Sequence, residues 1–429
     1  MYCLKKKYIL TVVGKSYCPI LNCKASFMLH KLVKPFIGLC ILGIAYIAGN
    51  RIYLYYTHNK APILSIEGLK QDNYYKGIVE GKLVANNPYK IATSSAFIDG
   101  KPFAGIPTKP GSRKFSYSFS INTEQLEDGE HIFAIQCIDA SRQENINTIT
   151  IDFNVDNKPL SASFVETNYR IDQGKTAHIR IQTNKQVEKI TLKTLNKTFN
   201  CYPDRPKSNT YECFIPIDCE ETPLQHDVVA EVTDHVGQNT KLSASLEVLQ
   251  FNFPKQRGFS VDNEKLSAEK EISSKDQVLF DAINRWAEES PKQKLWLGKF
   301  ELPIQVRRIT TPFGEVRVTP ERGRYMHRGV DLVNMPRSIV WAAQNGKVVI
   351  KDRFAMNGNT IVIDHGLGVM TLYGHLDSFA EIEVGDMVKK GSPIGKVGMT
   401  GYANGYHLHW ELRINGIPVD PLEWTETVY

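Results

Sequence analysis

The chain has 429 residues, too many for one ordinary domain and enough for about three at roughly 150 residues each. Its 42% hydrophobic and 23% charged residues are the proportions of a folded globular protein and exclude a disordered or fibrous chain. The formal net charge of +6 is concentrated at one end: Lys5, Lys6, Lys7, Lys15, Lys24, Lys31 and Lys34 precede the first acidic residue, Glu67. Without those seven lysines, 45 basic residues face 46 acidic ones, so no nucleic-acid partner is expected.

The lysine-rich segment 1–34 runs into an apolar stretch, 35–49, and then, after Asn50 and Arg51, into Ile52-Tyr-Leu-Tyr-Tyr56. The stretch alone is shorter than the ~20 residues of a full membrane span; extended to the tyrosines it reaches that length, with an aromatic belt at its outer end. Residues 35–56 are therefore expected to form one membrane-anchoring helix, with 1–34 as a basic cytoplasmic tail and the remainder facing outward. A cleaved signal peptide is the competing reading. The long charged front and the poor small-x-small site at Gly49-Asn-Arg51 weigh against it.

From 61 to 157 the chain alternates apolar and polar residues in short runs, 115–121, 131–138 and 148–155, separated by turn signals such as Asp128-Gly129. This pattern predicts a β-sandwich, and Leu126-Glu-Asp-Gly-Glu-His-Ile-Phe with the following aspartates is similar to a bacterial immunoglobulin-like module. Residues 158–250 repeat the rhythm in 178–182, 187–192 and 242–248 and are read as a second sandwich. Cys201 and Cys213 flank a turn-rich insert and are placed to face each other across a hairpin, either as a disulfide in an oxidising compartment or as two buried thiols. His178, His226 and His235 are ordinary strand or loop residues.

Residues 251–300 are charged and helical in character. Ser274-x-x-Gln277 resembles a capping box, and Val278, Ala282, Ile283 and Trp286 share a helical face before Pro291. Two roles suit a helix within 265–292: packing on a neighbouring domain, or covering a functional cleft until a partner removes it.

Five of the eleven histidines lie between residues 327 and 409. The order is His327-x-x-x-Asp331, His365, His375 and His407-x-His409. A catalytic zinc site uses three protein ligands and keeps a position open, and His327, Asp331 and one histidine of the final pair meet that need. The segment 404–414 alternates as a strand, so His407 and His409 point to the same face. With His409 on the metal, His407 is close enough to exchange a proton, and His375 joins it from another strand. His365, in Ile363-Asp-His-Gly366, belongs to a turn.

These residues and their surroundings resemble the lysostaphin/LytM-type zinc endopeptidases, which cleave peptide bonds in bacterial cell-wall peptidoglycan. The resemblance runs from about Ile309 to Pro421. It covers Thr310-Thr-Pro-Phe-Gly314, the His327 motif, a central hairpin over 358–376, the turns near 385–398, and the closing His-Leu-His-Trp-Glu. It implies an antiparallel β-sheet peptidase domain over 301–429, Zn2+ held by His327, Asp331 and His409, and a catalytic pair His375 and His407. The implied partners are peptidoglycan, the membrane through the single-pass anchor, and a regulatory envelope protein. The whole is then a mainly β protein in the cytoplasmic membrane, its catalytic domain facing the periplasm or wall. A non-enzymatic scaffold or activator built on the same domain is the alternative. Two departures are visible: Met335-Pro-Arg-Ser-Ile-Val340 lacks the usual glycine, and Tyr406 stands where a smaller residue is common.

Overall fold

Apolar continuity from Pro35 onward has the expected consequence in the computed structural model, which describes residues 23–256, 271–272, 274–319 and 323–429. Residues 1–22 of the basic tail, and residues 257–270 and Ser273 of the predicted helical linker, lie outside the described residues. Helix α1 spans Cys23–Thr57, and its segment Pro35–Thr57, with a mean hydropathy of 1.6, is long and apolar enough to cross a membrane. The protein beyond it is mainly β and divides between Asn157 and Lys158 into two compact units.

In the first unit, strands Ile63–Glu67, Ile78–Asn86 and Lys114–Asn122 form one sheet. Tyr74–Tyr75, Ile91–Ile98, Lys101–Phe103, Gly129–Asp139 and Ile146–Val155 form another. Period-2 alternation sends Leu83, Phe119, Ile121, Phe133, Ile135 and Phe153 into one shared core, the sandwich that the pattern predicts.

The second unit begins with another sandwich-like layer pair. Strand Lys197–Pro203 pairs through most of its length with Lys189–Thr194 and through its last two residues with Thr210–Pro216, so it passes from one half of the sheet to the other. Ile179, Ile181, Ile190, Leu192, Val228 and Val232 fill the space between the halves. Cys201 and Cys213 lie on the two strands of this hairpin as buried free thiols.

The C-terminal sheet runs, in spatial order, Arg308–Thr311, Val330–Val333, Leu408–Ile414, Val369–Leu376, Gly358–Asp364, Gly346–Phe354 and Met387–Val388, all antiparallel neighbours. On the central strand, Leu408, Trp410, Leu412 and Ile414 enter the core, which leaves His409, Glu411 and Arg413 on the opposite face. That second face is shared by Met370 and Leu372, which stand opposite Arg413 and Glu411. Helix α2, Gln277–Glu289, lies there, with Leu279 and Ile283 buried against Val349, Ile350, Val362, Met370 and Leu372.

Two details of the helix differ from expectation. Ser274 does not cap it: its hydroxyl donates to the Glu271 carbonyl, and Asp276 precedes the first helical residue. Val278 is 66% exposed while Leu279 is buried. The apolar residues at 278, 279 and 280 are contiguous, so periodicity alone does not choose which of them faces the sheet.

The sandwich and the sheet of the second unit are joined by helix α3, Pro421–Glu426. Trp424 packs against Phe214, Trp296 and Phe300, and its indole N–H donates to Thr176 Oγ1 at 3.0 Å. Glu423 accepts the Thr176 N–H and the Tyr429 hydroxyl, and burial raises its carboxyl to about 7 despite these bonds. A carboxyl raised from 4.5 to about 7 makes the folded state the better proton binder; its contribution to stability is full below pH 4.5 and is lost as pH rises through 7. The melting temperature of Glu423→Gln should therefore vary less with pH between 5 and 8 than that of the wild type. Parallel melting curves for the two proteins across that window would refute the assignment.

Candidate metal centre and its cleft

Strand register assembles the site. Asp331 stands opposite His409 on one side of the central strand, and Gly374, beside His375, stands opposite His409 on the other. His327 reaches the same point from the segment before Val330. Gly329 permits the approach, since a Cβ there would lie 2.6 Å from the Trp410 carbonyl and 2.8 Å from the His409 ring.

The donor atoms converge closely. His409 Nδ1 lies 2.9 Å from Asp331 Oδ1, His327 Nε2 3.2 Å from the same oxygen, and the two nitrogens are 3.1 Å apart. Ligand arms of 2.0–2.1 Å in a tetrahedral site put donors roughly 3.3 Å apart, so the three atoms already span about one face of such a site. Two nitrogens and one carboxylate oxygen, with no fourth protein ligand among the described residues, match an open, catalytic type of centre rather than a closed structural one.

Outer partners set the ring orientations. His409 Nε2 donates to Glu411 Oε1 at 2.9 Å, which leaves Nδ1 for a metal, and Arg413 Nε donates to Glu411 Oε2 at 2.5 Å. Burial opposes ionisation of Glu411, but Arg413 and His409 draw its carboxyl down to about 2. Burial likewise opposes ionisation of Asp331, yet the imidazoles of His327 and His409 hold it well below the usual carboxylate range.

His375 and His407 complete the group, their ring centroids 4.7 Å apart. Each has Nδ1 within 2.8 Å of a backbone carbonyl, Thr400 for His375 and Gly405 for His407. Those carbonyls accept an N–H from Nδ1, which leaves Nε2 as the ring atom for proton exchange. Burial, with His407 and His409 beside it, pushes His375 down to about 3, so its ring is neutral. His407 Nε2 is 3.8 Å from Asp331 Oδ1. All five residues thus line one cleft of about 950 Å³, whose walls also include Arg308, Thr310, Tyr325, Arg328, Tyr402 and Tyr406, with Asp276 and Phe280 from the α2 region.

His365 lies elsewhere. Fully buried, it bonds the Asn345 carbonyl and Thr371 Oγ1 at 2.7 Å each, and burial pushes it down to about 4, a neutral core histidine in the turn after Gly358–Asp364. Sequence reasoning missed Glu411 and Arg413. Their signal was present, since both continue the His407-x-His409 alternation onto the same face.

The family match falls on this domain. Residues 325–421 match Peptidase family M23. The chain is 40% identical over 127 residues to the DD-carboxypeptidase/endopeptidase Mpg of Neisseria meningitidis, covering 29% of each protein. It is 37% identical over 120 residues to the peptidoglycan DD-endopeptidase ShyC of Vibrio cholerae, covering 28% of each. The alignments thus span under a third of these relatives' own length. The catalytic domain of the antimicrobial peptidase lysostaphin from Staphylococcus simulans aligns over 33% of this chain and 97% of that domain, at 27% identity and a TM-score of 0.23.

Removing the carboxylate behind His409 should loosen the centre. Glu411→Ala is expected to weaken metal affinity 10–100-fold, the usual cost of losing such a partner, and Glu411→Gln, which keeps an acceptor, to weaken it less. Competition with a chromophoric chelator reads both values; an unchanged affinity in Glu411→Ala would show that the ring needs no such support.

Proposed function

We propose that this chain is a zinc-dependent endopeptidase that hydrolyses peptide stems or cross-links of bacterial peptidoglycan. The observation that carries the reading is the convergence of His327, Asp331 and His409 beside two histidines whose Nε2 atoms are both free to exchange protons. In this reading α1 anchors the protein in the cytoplasmic membrane and the residues after it work in the periplasm, with the sandwiches as spacers. The alternative, a scaffold or activator without turnover, leaves the intact catalytic pair without a purpose.

The donor set fits Zn2+, which when bound there supplies Lewis acidity towards a peptide carbonyl and towards water. His327, Asp331 and His409 would hold the ion, with Glu411 fixing the ring of His409. His375, its Nδ1 held by the Thr400 carbonyl, presents Nε2 to the attacking water. His407, more open to solvent, stands beside it with Nε2 3.8 Å from Asp331 Oδ1. Once protonated, either ring becomes a donor to the developing oxyanion or to the departing amine. The proton leaves the water, resides on imidazole and ends on the new amino terminus, so the sequence balances as a hydrolysis.

Purified peptidoglycan incubated with the zinc-loaded full chain should release peptides with new termini, identifiable by mass spectrometry. His407→Ala should keep its zinc and lose about 10²- to 10⁴-fold in rate, the range for a general acid–base group. Full activity in that variant would remove His407 from the mechanism, and no cleavage by the zinc-loaded wild type would favour the scaffold.

A further inference from the structure

Helix α2 opens with an unusual use of a carboxylate. An aspartate preceding a helix normally accepts a backbone N–H of that helix's own first turn. Asp276 makes no such bond, although it is only 1% exposed. Both of its oxygens are committed to a turn eighty residues away. Oδ1 accepts the Met356 N–H at 3.0 Å, and Oδ2 accepts the Asn357 N–H and the Asn357 side-chain amide at 2.9 Å each.

That turn supports His375 along two routes. The Asn357 carbonyl accepts the His375 N–H at 2.7 Å, while the Met356 carbonyl accepts the Tyr402 N–H at 2.8 Å. The second bond ties the turn to the loop whose Thr400 carbonyl holds His375 Nδ1. Support is needed because His375 has φ +57°, the left-handed region, which is costly for a residue with a Cβ and persists when its surroundings enforce it. Asp331 and His409 are held in addition by the pairing of Val330–Val333 with Leu408–Ile414, which the 356–357 turn does not enter.

We propose that Asp276 is a positioning residue for His375: by gripping the 356–357 turn it holds His375 in its left-handed conformation, with Nε2 directed at the reacting centre. The proposal rests on the catalytic role given to His375 above. It makes the start of α2 part of the catalytic support, the reverse of a cover that a partner must lift.

The test uses the full chain in detergent with Asp276→Ala and Asp276→Asn, the second keeping one acceptor oxygen. On a soluble cross-linked muropeptide, Asp276→Ala should lose about 10²-fold in kcat, the cost of a misplacement near 1 Å, with KM and chelator-measured zinc affinity unchanged. Asp276→Asn should recover part of the loss. In the His375→Ala background, Asp276→Ala should have no further effect on turnover, an outcome that general destabilisation would not produce. Independently of activity, the Cα and Cβ chemical shifts of ¹³C-labelled His375 should leave their left-handed values in Asp276→Ala while those of His327 and His409 stay in place. A variant with wild-type or higher kcat, or with unmoved His375 shifts, overturns the proposal. If the wild type cleaves nothing, the broader functional reading fails and the shifts alone decide whether Asp276 positions His375.

Discussion

Everything at the candidate metal centre depends on the register of one strand. Leu408–Ile414 pairs on one side with Val330–Val333 and on the other with Val369–Leu376, and both pairings bring their chemistry to His409. Side chains alternate with a period of two, so a slip by one residue on either side would send Asp331 or His409 into the apolar core and Leu408 or Trp410 into the cleft. The core prevents the slip. Leu408, Trp410, Leu412 and Ile414 are fully buried, and exposing even one of these side chains would cost about 1.5–3 kcal/mol. Burial of one face thus fixes the geometry of the other.

The polar face has an electrostatic logic of its own. Asp331, His409, Glu411 and Arg413 form a continuous buried series in which carboxylates flank the His409 ring and a guanidinium closes the far end. Burial by itself would make the His409 ring less basic, but Asp331 and Glu411 outweigh it and raise the ring to about 9. Two carboxylates converging on one imidazole call for a positive charge at that point, which a proton or a divalent cation can supply. A divalent cation held at Nδ1 would take the place of that proton.

Much of this was legible because the relevant spacings are local. His327 and Asp331 are four residues apart, and His407 and His409 two apart on a strand, so shared faces follow from periodicity. The strands over 115–121, 131–138 and 148–155 are readable for the same reason and lie inside the observed elements. Long-range commitments were not legible. Ser274 matched a capping pattern that the fold does not use, whereas Asp276 spends its oxygens on Met356 and Asn357, partners that become neighbours only when the sheet has formed. The left-handed φ of His375 was equally hidden, since nothing in Leu372-Tyr-Gly-His-Leu376 marks the histidine, rather than Gly374, as the residue with positive φ.

Helix α2 is where these themes meet. It touches the site's support twice: Asp276 holds the turn behind His375, and the Phe280 ring lies 4.5 Å beneath the Arg413 guanidinium that steadies Glu411. Between these contacts, Leu279 and Ile283 are buried against the sheet. Lifting the helix would expose both, at roughly 1.5–3 kcal/mol for each side chain, and would also strand Arg413 without its aromatic neighbour. A partner that removed α2 to open the cleft would have to supply that energy and would at the same time release the turn on which His375 rests. Opening and disabling would then be one event, so any control exerted through this segment is better suited to small shifts of the Asp276 end than to departure of the whole helix.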